Sequence, residues 1–176
     1  MEKEMIDKEL IENAIAEALK TGGDFAEIFV EDKRSSSAYF DDGKVEELTS
    51  GRDRGAGIRV VVGETTGFAH TADLSTQGLL EAARSAAAAA RSNGGASSAN
   101  NLTASSNPSP NPVLVLPETV EKIKKVELLK RADEVARSQS KSITQVSARY
   151  GDSRRRILVA NSDGVYASDD QVRTLF

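Results

Sequence analysis

The chain has 176 residues, 39% hydrophobic and 28% charged, which suits one folded domain of ordinary size with or without a long appendage. Its 23 basic and 27 acidic residues give a net charge of −4, which argues against a nucleic-acid partner. The absence of cysteine excludes a disulfide scaffold, a thiolate zinc site and a cysteine nucleophile, and the single histidine leaves little for metal or triad chemistry.

The first part of the chain predicts a helix followed by a hairpin. Asp7 can cap a helix that reaches about residue 20, because apolar residues recur there at helical spacing. Residues 24–31 and 36–40 alternate between apolar and polar and predict two strands. The Asp-Gly turn at 41–44 tolerates a positive φ, so we expect residues 45–49 to return as a third strand.

The middle of the chain predicts a second hairpin and a helix of small residues. Residues 57–62 and 67–70 have strand character and are joined through Gly63 and Glu64. A helix is expected from about Ser75 to Arg91. It is rich in alanine, so it buries little area but can approach a sheet closely.

Residues 92–117 differ in composition from the rest. Serine, asparagine, glycine, alanine and proline fill residues 92–112, and all four prolines fall within 108–117. This composition predicts a flexible surface excursion.

The last part of the chain repeats the order of the first. A helix is predicted after Pro117, with an apolar face formed by Leu128, Leu129, Ala132, Val135 and Ala136. Val120 and Ile123 are out of phase with that face, so we expect the first turn to be a separate or kinked piece.

Three further strands are predicted at 144–150, at 155–160 and from Val165 onward, with a turn at 161–164. Helix, strands, glycine turn and strand describe residues 7–49 and again 121–175, which suggests two similar halves. The predicted fold class is α+β: an antiparallel sheet built from hairpins, with helices packed on one face.

No group of residues forms a site, so we predict no catalytic, cofactor-binding or metal-ligating residue. His70 is the only imidazole, and only Asp73 lies near it in sequence as a further metal ligand. Residues 138–141 match S-x-x-K but lack the motifs that accompany it. Gly55 and Gly57 resemble a dinucleotide-binding turn, but a strand follows where that motif needs a helix.

Two charged groups are candidate binding sites. Arg149 and the run 154–156 could contact a phosphate or a carboxylate, but successive side chains on a strand alternate faces, which favours a solvated edge. The acidic residues lie in or near turns, where aspartate is favoured for backbone reasons. These acidic residues are Asp41, Asp42, Asp163, Asp169 and Asp170.

Several stretches together resemble the N-terminal region of the TldD/PmbA family. They are Gly51–Val60 (GRDRGAGIRV), Gly63–Ala69 (GETTGFA), Asp73–Ser75, Leu128–Arg137 and Ile157–Gly164. In that family a glycine-spaced strand leads into G-F-A and then a helix, and the order of segments agrees here. The resemblance covers nearly the whole chain apart from 92–116 and is closer to the TldD branch.

The resemblance implies a zinc metallopeptidase system in which a TldD-like subunit pairs with a PmbA-like one and cleaves small unfolded peptides. The family's zinc motif, H-E-x-x-x-H, lies in its C-terminal part and does not occur here. Residues 1–176 are therefore expected to form an N-terminal domain without the catalytic domain and inactive alone. Zinc is expected only in the full-length member. The apolar strand at 172–176 also suggests that a longer protein has been truncated.

The resemblance thus predicts a role in subunit pairing, or in self-association, and in admitting unfolded peptides. The alternative left open is a non-catalytic α+β protein-interaction module. The charged start at residues 1–4 is not a secretory signal, and no apolar stretch approaches the ~20 residues of a membrane span. We therefore expect a cytoplasmic protein that binds neither a membrane nor nucleic acid.

Overall fold

The computed structural model describes residues 5–90, 99–106 and 112–176. These residues form three α-helices, a short 3-10 helix and a six-stranded sheet. The helices are α1 (Lys8–Leu19), α2 (Thr76–Ala89) and α3 (Lys122–Gln139), and the 3-10 helix is Pro117–Thr119. The strands are β1 (Phe25–Asp41), β2 (Lys44–Val62), β3 (Thr65–Thr71), β4 (Thr103–Ser106), β5 (Ser147–Asn161) and β6 (Val165–Leu175).

The α+β class is confirmed, and the sheet is mostly antiparallel. Its strand order is β3-β2-β1-β5-β6-β4. β2 and β3 pair antiparallel from Ala56 opposite Thr71 to Val62 opposite Thr65. β4 pairs parallel with β6, with Thr103 opposite Val165, which adds one parallel pair to the mostly antiparallel sheet.

Three pairs of predicted strands are single long strands. Residues 24–31, apart from Asp24, and residues 36–40 lie in β1. Residues 45–49 and 57–62 lie in β2, and residues 144–150 and 155–160 fall largely within β5. The expected breaks were wrong because they rested on short polar stretches between the apolar ones. A strand tolerates such stretches wherever its side chains face solvent.

The chain divides into two compact units. Unit 1 consists of Met1–Asp32, Arg54–Ser109 and Arg156–Asp169. Unit 2 consists of Lys33–Asp53, Pro110–Arg155 and Asp170–Phe176. Strands β1, β2, β5 and β6 contribute residues to both units.

The core of unit 1 is built from α1, α2 and the strand residues beside them. α1 begins as predicted, because the Asp7 carboxylate accepts a hydrogen bond from the Glu9 backbone N–H at 2.9 Å. Its buried stripe is Ile11, Ala14, Ile15, Ala18 and Leu19. The chain then turns at Gly22, whose φ of 98° favours glycine.

α2 approaches the sheet as closely as its alanine-rich sequence predicts. A Cβ added at Gly67 of β3 would lie 1.9 Å from the Ala86 carbonyl oxygen and 2.4 Å from the Ala90 nitrogen. The Thr65 hydroxyl donates a hydrogen bond to the Ala90 carbonyl at 2.8 Å. The missing side chain at Gly67 is therefore what allows the helix backbone to rest on the strand.

One ordered element inside the predicted flexible segment 92–117 was not foreseen. Residues Thr103–Ser106 form β4, and Leu102 beside it is buried. The Lys8 ammonium donates a hydrogen bond to the Leu102 carbonyl at 3.0 Å. Of the predicted segment, residues 92–98 and 107–111 lie outside the described residues.

The helix of unit 2 buries a different face from the one predicted. The 3-10 helix Pro117–Thr119 is separate from α3, as expected. The buried residues of α3 are Lys125, Val126, Leu129 and Asp133. Leu128 and Val135 of the predicted face are 44% and 53% exposed. Only Leu129 belongs to both sets, and it packs with Ala38 and Phe40.

The order of helix, long strand, glycine turn and long strand occurs twice, as α1-β1-β2 and α3-β5-β6. The turns use Gly43 and Gly164, whose φ values are 84° and 95°. No helix in the described part of the chain is both long and apolar enough to cross a lipid bilayer.

Candidate functional site

A cavity of about 430 Å³ opens in unit 2. Its volume falls in the range of pockets that hold small ligands. We call it the basic pocket. Its lining residues are Arg34, Ser35, Ser36, Ser50, Gly51, Arg52, Pro117, Glu118, Val120, Lys122, Lys125, Asp152 and Arg154.

A buried ion pair lies in the basic pocket. The Lys125 ammonium is 2.5 Å from a carboxylate oxygen of Asp152, and their side chains are 6% and 5% exposed. The Ser36 hydroxyl lies 3.0 Å from both carboxylate oxygens and 2.8 Å from the Lys125 nitrogen, so it can donate to the acid while accepting from the base. Two buried charges are tolerated because each is paired and hydrogen-bonded.

Tyr150 of β5 lies beside this pair. Its ring centroid is 5.6 Å from the Lys125 nitrogen, within range of a cation–π interaction. Burial, together with the hydrogen bond to the Asp152 carboxylate, raises the pKa of Tyr150 to about 12. The tyrosine therefore stays protonated at neutral pH and serves the carboxylate as a hydrogen-bond donor.

A second charged group forms one wall of the pocket. The Arg154 guanidinium, 12% exposed, donates to Glu118 at 2.8 Å and to both carboxylate oxygens of Asp170. Burial acts to raise the pKa of Glu118, but the hydrogen bond from Arg154 and the positive charges of Arg154 and Arg34 lower it below its usual value. Glu118 is therefore an anion at neutral pH.

The remaining cations lie at the exposed rim. Arg34, Arg52 and Lys122 are exposed residues on β1, β2 and α3. The Lys122 ammonium donates a hydrogen bond to the Ser50 hydroxyl at 3.0 Å. Beside them Gly51 has no atom within 4 Å of the place a Cβ would occupy, so the lining is open there.

The pocket lining carries five basic residues against two acidic ones. The basic residues are Arg34, Arg52, Lys122, Lys125 and Arg154. Ser36, the hydroxyl in contact with the ion pair, is bonded to a carboxylate and an ammonium, with no imidazole to activate it. The arrangement therefore suits the binding of an anion better than acid–base or nucleophilic chemistry.

His70, the sole histidine, lies on β3 in unit 1, opposite Gly57 of β2. Its ring stacks on that of Phe68, with the centroids 6.4 Å apart. Across the described ranges, no three histidine, cysteine, aspartate or glutamate side chains lie close enough to hold a metal ion. A zinc centre needs about three such protein ligands, so the residues present do not fit the metal that the resemblance implies for the full-length family member.

The arginine run at residues 154–156 was expected to form a solvated edge, but not all of it is exposed to solvent. Arg154 is largely buried between two carboxylates and lines the pocket, which corrects that expectation. Arg149 packs its guanidinium over the Tyr39 ring, 4.5 Å from the centroid. All three arginines of the run lie in β5, where successive side chains alternate between the two faces of a strand.

Asp41, Asp42 and Ser138, also considered from the sequence, each form hydrogen bonds with neighbouring groups. Asp41 accepts hydrogen bonds from the Gln145 and Ser147 side chains, and Asp42 accepts one from Arg137. The Ser138 hydroxyl donates to the Val135 carbonyl within the last turn of α3.

The glycines that resemble a dinucleotide turn lie inside β2. A Cβ at Gly55 would lie 2.8 Å from the Thr71 carbonyl oxygen. The close approach of the β3 backbone therefore accounts for the glycine at this position without a nucleotide.

Sequence reasoning missed Lys125 and Asp152. A charged residue on a helix is normally assigned to solvent, and the prediction followed that rule. The available signal was helical spacing, since Lys125 precedes Leu129 by four residues and Asp133 follows it by four.

The chain matches two family models in order. The first, described as PmbA/TldA metallopeptidase domain 1, matches residues 26–90. The second, described as the PmbA/TldA metallopeptidase central domain, matches residues 116–176.

Curated relatives and a solved structure agree with these matches. The Metalloprotease TldD homolog of Haemophilus influenzae is 33% identical over 147 residues, and that of Buchnera aphidicola subsp. Schizaphis graminum is 26% identical over 146. Each alignment covers 83% of this chain but only 30% of the relative. The crystal structure of TldE from Thermococcus kodakarensis is similar in fold, with a TM-score of 0.70, 20% identity, and coverage of 94% of this chain and 37% of that one.

Proposed function

This chain belongs to the PmbA/TldD metallopeptidase family, and we propose that it supplies the non-catalytic N-terminal part of a TldD-like zinc metallopeptidase subunit. The observation that supports this most directly is the order of its matches, domain 1 followed by the central domain, within 30% of the length of TldD homologs. Its proposed roles are pairing with a PmbA-like subunit and admitting unfolded peptides as substrates.

The scarcity of metal-ligating and nucleophilic residues supports a non-catalytic role. The chain has one histidine and no cysteine, and it lacks H-E-x-x-x-H. The pocket of unit 2 holds paired charges and no activated nucleophile. Hydrolysis in the complete enzyme would therefore depend on residues from another part of the protein.

An exposed apolar segment supports pairing with a partner subunit. Val113, Leu114 and Val115 are consecutive and are 45%, 93% and 62% exposed. Leu114 therefore keeps nearly its whole side chain in water. An isolated exposed leucine is common, but a leucine flanked by two exposed valines favours a protein contact.

Peptide admission is supported by the edges of the sheet. β3 and β4 are the first and last strands in the sheet order. An edge strand offers unpaired backbone groups to which an extended peptide can add, and such pairing accepts many sequences. Phe68 on β3 is 61% exposed and offers a large apolar surface beside this edge.

Two binding measurements test the proposal. Titration of this chain with a PmbA-like subunit, followed by sedimentation, should give a complex that Leu114→Ser weakens and the control Val135→Ser does not, since Val135 is exposed elsewhere. An unfolded peptide labelled with a fluorophore should bind, and N-methylation of alternate residues should weaken it by removing backbone donors. Absence of any complex contradicts the pairing role, and equal binding of the N-methylated peptide contradicts edge addition.

A further inference from the structure

We propose that the basic pocket of unit 2 binds a small ligand through an oxyanion, either a carboxylate or a phosphate. This inference goes beyond the proposed function and does not depend on it. It concerns a cavity in unit 2, while pairing and peptide admission are proposed for other residues.

The first support is the distribution of charge. The whole chain has a net charge of −4, yet the pocket lining holds five basic and two acidic residues. An excess of positive charge on a concave wall raises the positive electrostatic potential inside the cavity. A positively charged pocket in a chain of net negative charge favours an anionic ligand.

The second support is the difference in exposure among the five cations of the pocket. The Lys125 ammonium is paired with Asp152, and the Arg154 guanidinium is paired with Glu118 and Asp170, so ion pairs hold both of these largely buried cations in place. Arg34, Arg52 and Lys122 stand at the exposed rim on three different elements. Guanidinium groups match the two oxygens of a carboxylate or phosphate, and the ammonium adds a point charge.

The third support is the rigidity and size of the cavity. The ion pairs of Lys125 and Arg154 are reinforced by hydrogen bonds from Ser36 to Asp152 and from Arg154 to Asp170, so the pocket is formed before a ligand arrives. About 430 Å³ is room for a ligand larger than a bare ion. Pro117 and Val120 add apolar lining for its uncharged part.

The two chemical sources of the oxyanion are separable by titration. Inorganic phosphate represents phosphoryl ligands, and an acetylated tri-alanine with a free C-terminus represents carboxylates, with the same peptide amidated as its neutral control. Binding is followed by calorimetry, and by NMR through the backbone amides of Ser35, Gly51 and Lys122. We expect phosphate or the free-acid peptide to bind and to shift these amides, and the amidated peptide to bind at least about tenfold more weakly.

A matched pair of variants tests whether the pocket is responsible. Arg34→Gln, Arg52→Gln and Lys122→Gln combined should weaken binding about a hundredfold, because several charge-assisted contacts are lost. The control removes the same charge from exposed lysines that do not line the pocket, by Lys44→Gln, Lys130→Gln and Lys141→Gln, and should change the affinity less than about threefold.

Each outcome decides the proposal. Binding of phosphate alone assigns a phosphoryl ligand, and binding of the free-acid peptide alone assigns a carboxylate. Equal binding of the amidated peptide, equal weakening by the control variant, or no binding of either probe at millimolar concentration overturns the site. Circular dichroism of both variants checks that the fold persists. If the rim variant does not fold, the NMR shifts of the unaltered chain still decide whether a ligand enters the pocket.

Discussion

Replacing Lys125 by methionine should destabilise unit 2 far more than a helix-surface substitution does. Methionine has a similar length and a good helix propensity, so the helix itself is preserved. What changes is the charge, because Asp152 would lose the ammonium that lies 2.5 Å from its carboxylate. The side chain of Asp152 is only 5% exposed, so water cannot replace the lost partner.

The size of the effect follows from that burial. Removing one partner of a buried ion pair costs about 3–5 kcal/mol, because the other charge stays buried and uncompensated. Ser36 and Tyr150 still offer hydrogen bonds to the carboxylate, which places the expected loss near the lower end, about 3 kcal/mol. Combining Lys125→Met with Asp152→Asn removes both charges and should recover more than half of the loss.

Urea unfolding followed by circular dichroism measures this loss. The matched control is Lys124→Met, one position earlier on α3. Lys124 is 64% exposed and pairs with Glu127 at 3.1 Å, so its substitution should cost less than about 0.5 kcal/mol. If Lys125→Met lowers the free energy of unfolding by less than about 1 kcal/mol, or by no more than the control does, the ion pair does not stabilise unit 2.

Two further substitutions test the packing and the electrostatics. Gly67→Ala should destabilise unit 1 by at least about 3 kcal/mol in thermal unfolding, since its Cβ would lie 1.9 Å from the Ala86 carbonyl oxygen. The control Gly51→Ala places its Cβ in open space and should change the stability by less than about 0.5 kcal/mol. Because Arg154 helps to lower the pKa of Glu118, this carboxylate stabilises the fold above pH 4.5 and loses that effect as the pH falls through its folded-state pKa. Arg154→Gln should therefore cost about 1–2 kcal/mol at pH 7 and less at pH 3, and a cost independent of pH would contradict this.

The elements were largely predictable from sequence, but their continuity was not. The polar stretch between residues 31 and 37 led to two predicted strands where β1 is one. The signal for a single strand was present: Ala26, Ile28 and Val30 are buried, and so are Ala38 and Phe40. All five have the same parity, so they lie on one face of an unbroken strand. The even numbers shared by the buried residues on both sides of the polar stretch indicate one continuous strand more reliably than the polar stretch indicates a break.

The pocket could not be predicted from sequence because it depends on long-range pairing of charged side chains. Lys125 and Asp152 are 27 residues apart, and Ser36 is 89 residues from Lys125. Neither spacing belongs to a local motif. The same applies to Arg154, whose carboxylate partners come from the 3-10 helix and from β6. Sequence pattern indicates which residues are apolar, but it does not indicate which charges will neutralise each other inside.

Zinc content and peptidase activity of the purified chain test the central claim most directly. The protein would be incubated with zinc, passed through a desalting column, and analysed for bound metal and for cleavage of unfolded peptides. A non-catalytic part of a TldD-like subunit should retain far less than one zinc per chain and cleave nothing, since one histidine and no cysteine cannot supply the usual ligands. Stoichiometric zinc, or zinc-dependent cleavage by this chain alone, would contradict the account.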